Sequence, residues 1–262
     1  HFLTIREASE LIRSRQLSPV ELTRAFLNRI EATDDQLHSF ITLLSDQALE
    51  QARTAEAEII AGTYKGPLHG IPIALKDLYD TAGIRTTSGS RVDTNRIPTE
   101  DSTATARLKD AGTVLLGKLA MHEYALGGPD WTTGFEPARN PWNLAHITGG
   151  SSSGSGAAVA AGQAMGTLGS CTGGSIRGPA SLCGIVGLKA TYGRVSRAGV
   201  VTLSWSQDHC GPMTWTVEDA AYMLQALAGH DPKDPTTSTA PVPDYSLSLR
   251  EDVKGLTIGV PR

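Results

Sequence analysis

The sequence predicts an α/β fold in which a mixed β-sheet core is covered by helices on both faces. Amphipathic helical segments alternate with short apolar strands, the pattern of a layered α/β domain. The 262 residues, with 40% hydrophobic and 19% charged side chains, are enough to bury a substantial core. The 28 glycines are concentrated, nine of them falling between Thr148 and Ser175 with six serines and three threonines. Such a window is expected where backbone packs tightly around a site.

Residues 1–65 read as a helical region. Thr4-Ile-Arg-Glu7 is a capping box, because Thr at the N-cap and Glu three positions later satisfy each other's free backbone donors. Ser18-Pro19-Val20-Glu21 repeats the device with Pro at the first helical position. A third helix, rich in Ala, Glu and Gln, is expected from about Ser45 to Ala61. Pro67 and Gly70 break the pattern, and Ile71-Pro-Ile-Ala-Leu75 reads as a buried strand ending on Lys76-Asp77.

A helix near Ser102 to Asp110 and a strand over Gly112 to Gly117 follow. The glycine-rich window then holds a small-residue helix near Ser155 to Ala164, and a short helix begins at Ser175. Thr216 caps a last helix running to Leu227. Residues 66–229 are thus the expected core of a single domain, and 230–262 a Pro/Thr-rich loop followed by a strand pattern at Gly255 to Val260. The chain begins at His1 without Met and stops on that pattern, so it reads as the N-terminal and central part of a larger unit whose C-terminal part is missing.

Charge excludes one class of function. Against 27 acidic residues stand 23 Lys and Arg, a net charge of −4, and no window gathers enough basic groups to neutralise a run of phosphates. Direct nucleic-acid binding is therefore not expected. From Asn140 through Ile176 there is no Asp, Glu, Lys or Arg. This stretch is too poor in large aliphatic residues to span a membrane, and Val159, Met165, Leu168 and Ile176 give it anchors that a flexible linker lacks. Cys171, Cys183 and Cys210 form an odd, sparse set without Cys-x-x-Cys spacing, and no signal peptide opens the chain, so a cytoplasmic location is expected.

Three chemical patterns fail on inspection. The window lacks the Gly-Lys-Ser/Thr ending of a phosphate loop and the G-x-G-x-x-G spacing of a dinucleotide site. Gly150-Ser-Ser152-Ser-Gly154 matches a nucleophile elbow formally, but the preceding Arg139 to Thr148 has no β-branched run to form the strand that motif requires. Seven scattered histidines offer no paired ligand spacing, so neither metal nor cofactor is expected.

A fourth pattern survives. Gly149-Gly-Ser-Ser-Ser-Gly-Ser155 and Thr172-Gly-Gly-Ser-Ile-Arg-Gly-Pro-Ala180, preceded by Ile73-Ala-Leu-Lys76-Asp77, resemble the amidase signature family of serine hydrolases. Lys76 precedes Ser151 by 75 residues and Ser151 precedes Ser175 by 24, which are the family's intervals. Leu68-His-Gly-Ile-Pro72, Gly117-Lys-Leu-Ala-Met-His122 and Cys183 to Gly193 agree as well. The resemblance implies the amidase signature fold, with 66–229 as its catalytic core. It also implies Ser175 as nucleophile, Lys76 as base, and Ser151, after a cis peptide bond from Gly150, as the bridge between them.

The chemistry is coherent. A serine hydroxyl needs a positioned base, and lysine can serve only when neutral, so its pKa must fall from about 10.4 to roughly 7–8 through burial. A lysine ending an apolar strand has that setting. The backbone N–H groups of Thr172, Gly173, Gly174 and Ser175 are the expected oxyanion hole. Ser152 and Arg177 are candidate substrate contacts, with hydrogen bonding inside the loop as the alternative for Ser152 and a structural partnership as that for Arg177. One position departs from the family, which commonly has Ser-Asp where this chain has Ser170-Cys171.

The expected function is a serine hydrolase that cleaves a carboxylic amide C–N bond other than a peptide bond, or a related ester or carbamate, through an acyl-enzyme. Two alternatives stand beside it: the glutamine-hydrolysing A subunit of a tRNA-dependent amidotransferase, and an inactive binding protein of amidase fold. The expected partner is a small-molecule amide, ester or carbamate, with no membrane and with a homodimer as a candidate assembly, while the amidotransferase alternative would add a second subunit that receives ammonia.

Overall fold

A computed structural model describes residues 2–249, 253–257 and 259–260. The N-terminal region folds as α1 (Ile5–Arg13), α2 (Pro19–Leu37), β1 (Phe40–Leu43) and α3 (Ser45–Ile60). Thr4 and Glu7 form the reciprocal capping box, and the Ser18 hydroxyl accepts from the N–H groups of Val20 and Glu21. Then come β2 (Pro72–Lys76), α4 (Thr103–Asp110), β3 (Val114–Leu119), β4 (Arg139–Asn140) and β5 (Asn143–Ile147). The glycine-rich window supplies α5 (Ser153–Ala160) and β6 (Gly166–Cys171), followed by α6 (Arg177–Cys183), β7 (Val186–Gly187), β8 (His209–Thr214), α7 (Val217–Leu227) and α8 (Tyr245–Ser248).

Six strands form one mixed sheet in the order β1-β3-β2-β6-β8-β7. The three at its centre, β3, β2 and β6, run parallel and are buried along their whole length. Gly166 and Gly169 of β6 show that both faces are covered, since residues three apart on a strand point to opposite sides. A Cβ on Gly166 would meet Met223 of α7 and Ile5 of α1, whereas one on Gly169 would meet Ser152 and Ile176 beside α5 and α6.

Several boundaries depart from expectation. Strand β3 lies two residues further on than predicted, α5 starts at Ser153, and α6 starts at Arg177 instead of Ser175. Strand β6 has no counterpart among the expected elements, because Gly-Thr-Leu-Gly-Ser-Cys carries too few branched residues to announce a strand. Its glycines make room for methionine sulfurs from α7 and β8. A strand does precede Ser151, but β4 and β5 form a separate exposed two-stranded ribbon, so no nucleophile elbow is built. The strand expected at 255–260 is absent from the described residues 255–257 and 259–260, which pair with no neighbouring strand; Ile258 lies outside them.

Candidate active site

Because β2 and β6 are parallel neighbours, their C-terminal ends arrive together at one edge of the sheet. Lys76 ends β2, Ser170-Cys171 ends β6, and the Gly149–Ser152 turn before α5 closes over them. Lys76 is fully buried, and its Nζ donates to Ser151 Oγ at 2.7 Å and to Ser170 Oγ at 2.8 Å. Burial pushes its pKa from 10.5 down to about 7. Cys171, Cys210 and Asp208 draw it back up, and of these only Asp208 is a carboxylate.

Ser151 is buried behind a cis Gly150–Ser151 peptide bond. Glycine at 150 is a packing requirement, since a Cβ there would run into the imidazole of His122. His122 also donates its backbone N–H to the Ser151 carbonyl at 3.1 Å, and its Nδ1 pairs with the Gly127 carbonyl at 3.0 Å. Burial holds the His122 pKa below the usual value; the Gly127 bond opposes this and Lys76 adds to it.

Ser152 Oγ donates to the Ser170 carbonyl at 3.2 Å and accepts from the Ser170 N–H at 3.3 Å. That hydroxyl is fully buried, so Ser152 clasps two loops and, contrary to the substrate-contact expectation, has no exposed surface to offer a ligand. Its N–H donates to the Ser175 carbonyl at 3.3 Å, which holds Ser175 beside Ser151. Among the described residues the Ser175 hydroxyl makes no hydrogen bond: Lys76 and Ser151 are joined directly, and Ser175 is not yet linked to them through its side chain.

The loop from Thr172 to Ser175 leaves donors free. No acceptor among the described residues takes the N–H of Gly173, Gly174 or Ser175, and a Cβ at Gly173 or Gly174 would stand in open space. Arg177 is exposed and donates from Nη2 to the Gly173 carbonyl at 3.0 Å, bracing this loop. Cys171 is fully buried against Ile176, Ala180 and Met213. Two roomy grooves, about 550 Å³ beside Leu68 and Tyr222 and about 410 Å³ between Trp142 and Trp215, contain none of these groups.

Three neighbours of the site are missed by sequence reasoning. Ser170 stands out in the sequence only as the residue before Cys171, yet it is the second hydroxyl on Lys76. His122 looks like the other scattered histidines, with no ligand spacing to mark it. Asp208 carries a signal that could find it, for it is the first acidic residue after Glu136.

The sequence matches the Amidase family over residues 21–262. The chain belongs to that family. It is 54% identical to the A subunit of the glutamyl-tRNA(Gln) amidotransferase of Trichlorobacter lovleyi over 99% of this chain and 53% of that relative. Among solved structures, native peptide amidase from Stenotrophomonas maltophilia superposes with a TM-score of 0.90 at 40% identity, covering 95% of this chain and 53% of the other. A chain from a vestigial protein complex tied to the origins of an s-triazine catabolic enzyme reaches 0.93 at 40% identity, covering 97% and 56%. The chain thus spans about half the length of the curated relatives it matches.

These likenesses correct one expectation and bear on a second. Partners cannot be limited to a small molecule or a second copy, because the curated relatives are named as one subunit of an amidotransferase whose name specifies glutamyl-tRNA(Gln). Restriction to bonds other than peptide bonds also falls outside what is shown, since a peptide amidase is among the similar structures. Among the described residues no helix is long and apolar enough to cross a membrane, and no group of three or more His, Cys, Asp or Glu is placed to hold a metal.

Proposed function

We propose that this chain carries the glutamine-hydrolysing site of an amidotransferase, in the part played there by the A subunit, with Ser175 as nucleophile, Ser151 as proton relay and Lys76 as base. The observation that carries this reading is the buried Lys76 side chain, with a pKa of about 7, bonded at 2.7 Å to Ser151. At neutral pH a sizeable fraction of such a lysine is the free amine. It can take the Ser151 proton while Ser151 takes that of Ser175, whose oxygen attacks the carboxamide carbon. Contact between the two serine hydroxyls then forms as substrate settles, since catalytic hydrogen bonds often tighten only in the complex.

The attacked carbonyl oxygen becomes negative, and the unsatisfied N–H groups of Gly173, Gly174 and Ser175, with that of Thr172, are the donors that would receive it. Protonated Lys76 returns its proton through Ser151 to the leaving nitrogen, the C–N bond breaks and ammonia departs. Water resolves the Ser175 acyl-enzyme by the same relay in reverse. Each donor of this kind is typically worth about 10²–10³ in rate.

The names of the curated relatives favour glutamine as the amide and a separate protein chain to receive the ammonia. Likeness to peptide amidase favours a second reading, an amidase that releases its products without a partner. Ser175→Ala is expected to abolish both turnover and labelling by a fluorophosphonate, and labelling that survives sinks the assignment of the nucleophile. Glutamine hydrolysis that rises when a partner subunit co-purifies supports the amidotransferase reading. Full activity on aryl or peptide amides without any partner overturns it in favour of the second.

A further inference from the structure

The loop with the free N–H groups is tied down from outside its own strand. Thr172 Oγ1 donates to Asp208 Oδ1 at 2.6 Å, while Asp208 Oδ2 accepts from the N–H groups of Leu203 and Ser204 at 2.8 and 2.9 Å. Strand β6 pairs with β8 up to Cys171 opposite His209, so this bond continues the ladder one step past its end, where backbone pairing stops. The acid also ends a long acid-free stretch, from Pro137 to Gln207. At position 171 this chain has a thiol buried among apolar groups, so no acidic side chain on β6 itself holds the loop.

We propose that Asp208 is a positioning residue, which clamps Thr172 to aim the N–H groups of Gly173, Gly174 and Ser175. Without the clamp, Thr172 to Ser175 would be held only by the Ser152–Ser175 and Arg177–Gly173 bonds and the start of α6.

The inference rests on Ser175 being the nucleophile, and its test keeps the two apart. The readout is Ser175 labelling by a fluorophosphonate on the intact protein, with the maximal rate and the half-saturating concentration followed across neutral pH. Thr172→Val, which keeps shape and removes the hydroxyl, is expected to cut the maximal rate about tenfold with half-saturation nearly unchanged, and Thr172→Ser should restore it. A wild-type rate in the Val variant, or no rescue by Ser, overturns the clamp.

Asp208→Asn can keep every bond, its oxygen accepting from Leu203 and Ser204 and its amide donating to a turned Thr172 hydroxyl, while the charge is lost. Labelling should then stay within a few-fold of wild type, whereas Asp208→Ala should slow it about as Thr172→Val does, and an Asp208→Ala variant that labels at the wild-type rate overturns the clamp. If Asp208→Asn does not fold, the Thr172 pair still decides the clamp. Equal labelling of Ser175→Ala and wild type would instead count against the nucleophile assignment alone.

Discussion

Two fully buried lysines sit at the ends of adjacent strands, and their surroundings give them opposite tasks. Lys118 on β3 lies opposite Leu75 of β2, one pair away from Lys76. Its Nζ donates to the Tyr79 carbonyl at 2.7 Å and Thr86 Oγ1 at 2.6 Å, and lies 3.5 Å from the buried Asp77 carboxylate. Burial lowers its pKa to about 8 against the pull of Asp77. A carbonyl and an ionised carboxylate can only accept, and the Asp77 charge favours the ammonium, so Lys118 is held in its protonated form. Lys76 touches two serine hydroxyls, which can donate as readily as accept, so it can lose its proton without orphaning either partner. Burial alone therefore does not make a base; partners that tolerate both protonation states do.

Substituting each lysine in turn is the sharpest way to break this contrast. Lys76→Met should leave a folded protein whose Ser175 labelling is slower by about 10²–10⁴-fold, the usual worth of a positioned base. Lys118→Met should do the reverse. It strands the Asp77 charge in the interior, and removing one partner of a buried pair costs about 3–5 kcal/mol, read as a lower melting temperature. Labelling per folded molecule should stay within a few-fold of wild type. Adding Asp77→Asn should recover part of the loss, because the charge left alone is then gone. If Lys118→Met matched Lys76→Met in labelling and kept its melting temperature, the distinction drawn from their partners would be wrong.

The same pair shows how much of the site is legible in the sequence. Ile-Ala-Leu-Lys76 and Leu-Leu-Gly-Lys118 both put lysine after an apolar run, and nothing in those preceding residues tells the base from the structural ammonium. What separates them lies elsewhere in the chain: Ser151 and Ser170 for one, Tyr79, Thr86 and Asp77 for the other. Long-range spacing to Ser151 and Ser175, read through family resemblance, singles out Lys76. Helices with capping signals, such as those opened by Thr4, Ser18 and Thr216, are readable because their cues are local. Strand β6 is hidden because its small residues are dictated by what packs against them, and Asp208 because its role depends on how β6 and β8 pair.

A smaller effect tests the two-hydroxyl arrangement itself. Labelling needs the neutral amine, so its rate should rise with pH, reach half its maximum near pH 7 and level off above it. Ser170→Ala removes an acceptor that the ammonium form uses fully and the amine uses less, so the charged form loses more. The pKa of Lys76 should therefore fall, and the acid limb should move about one pH unit lower, as a hydrogen bond to a charged group is worth about 1.5 kcal/mol. The sign carries over to stability. Unfolded lysine keeps its proton up to its ordinary value of 10.5 while folded Lys76 releases it near 7, so between those limits the unfolded state binds more protons and stability rises with pH. Ser170→Ala should extend that rise to lower pH, and Lys76→Met should flatten it. An acid limb that moved upward in Ser170→Ala would mean that Ser170 favours the neutral amine, and the partners of Lys76 would then differ from those of Lys118 for another reason than polarity.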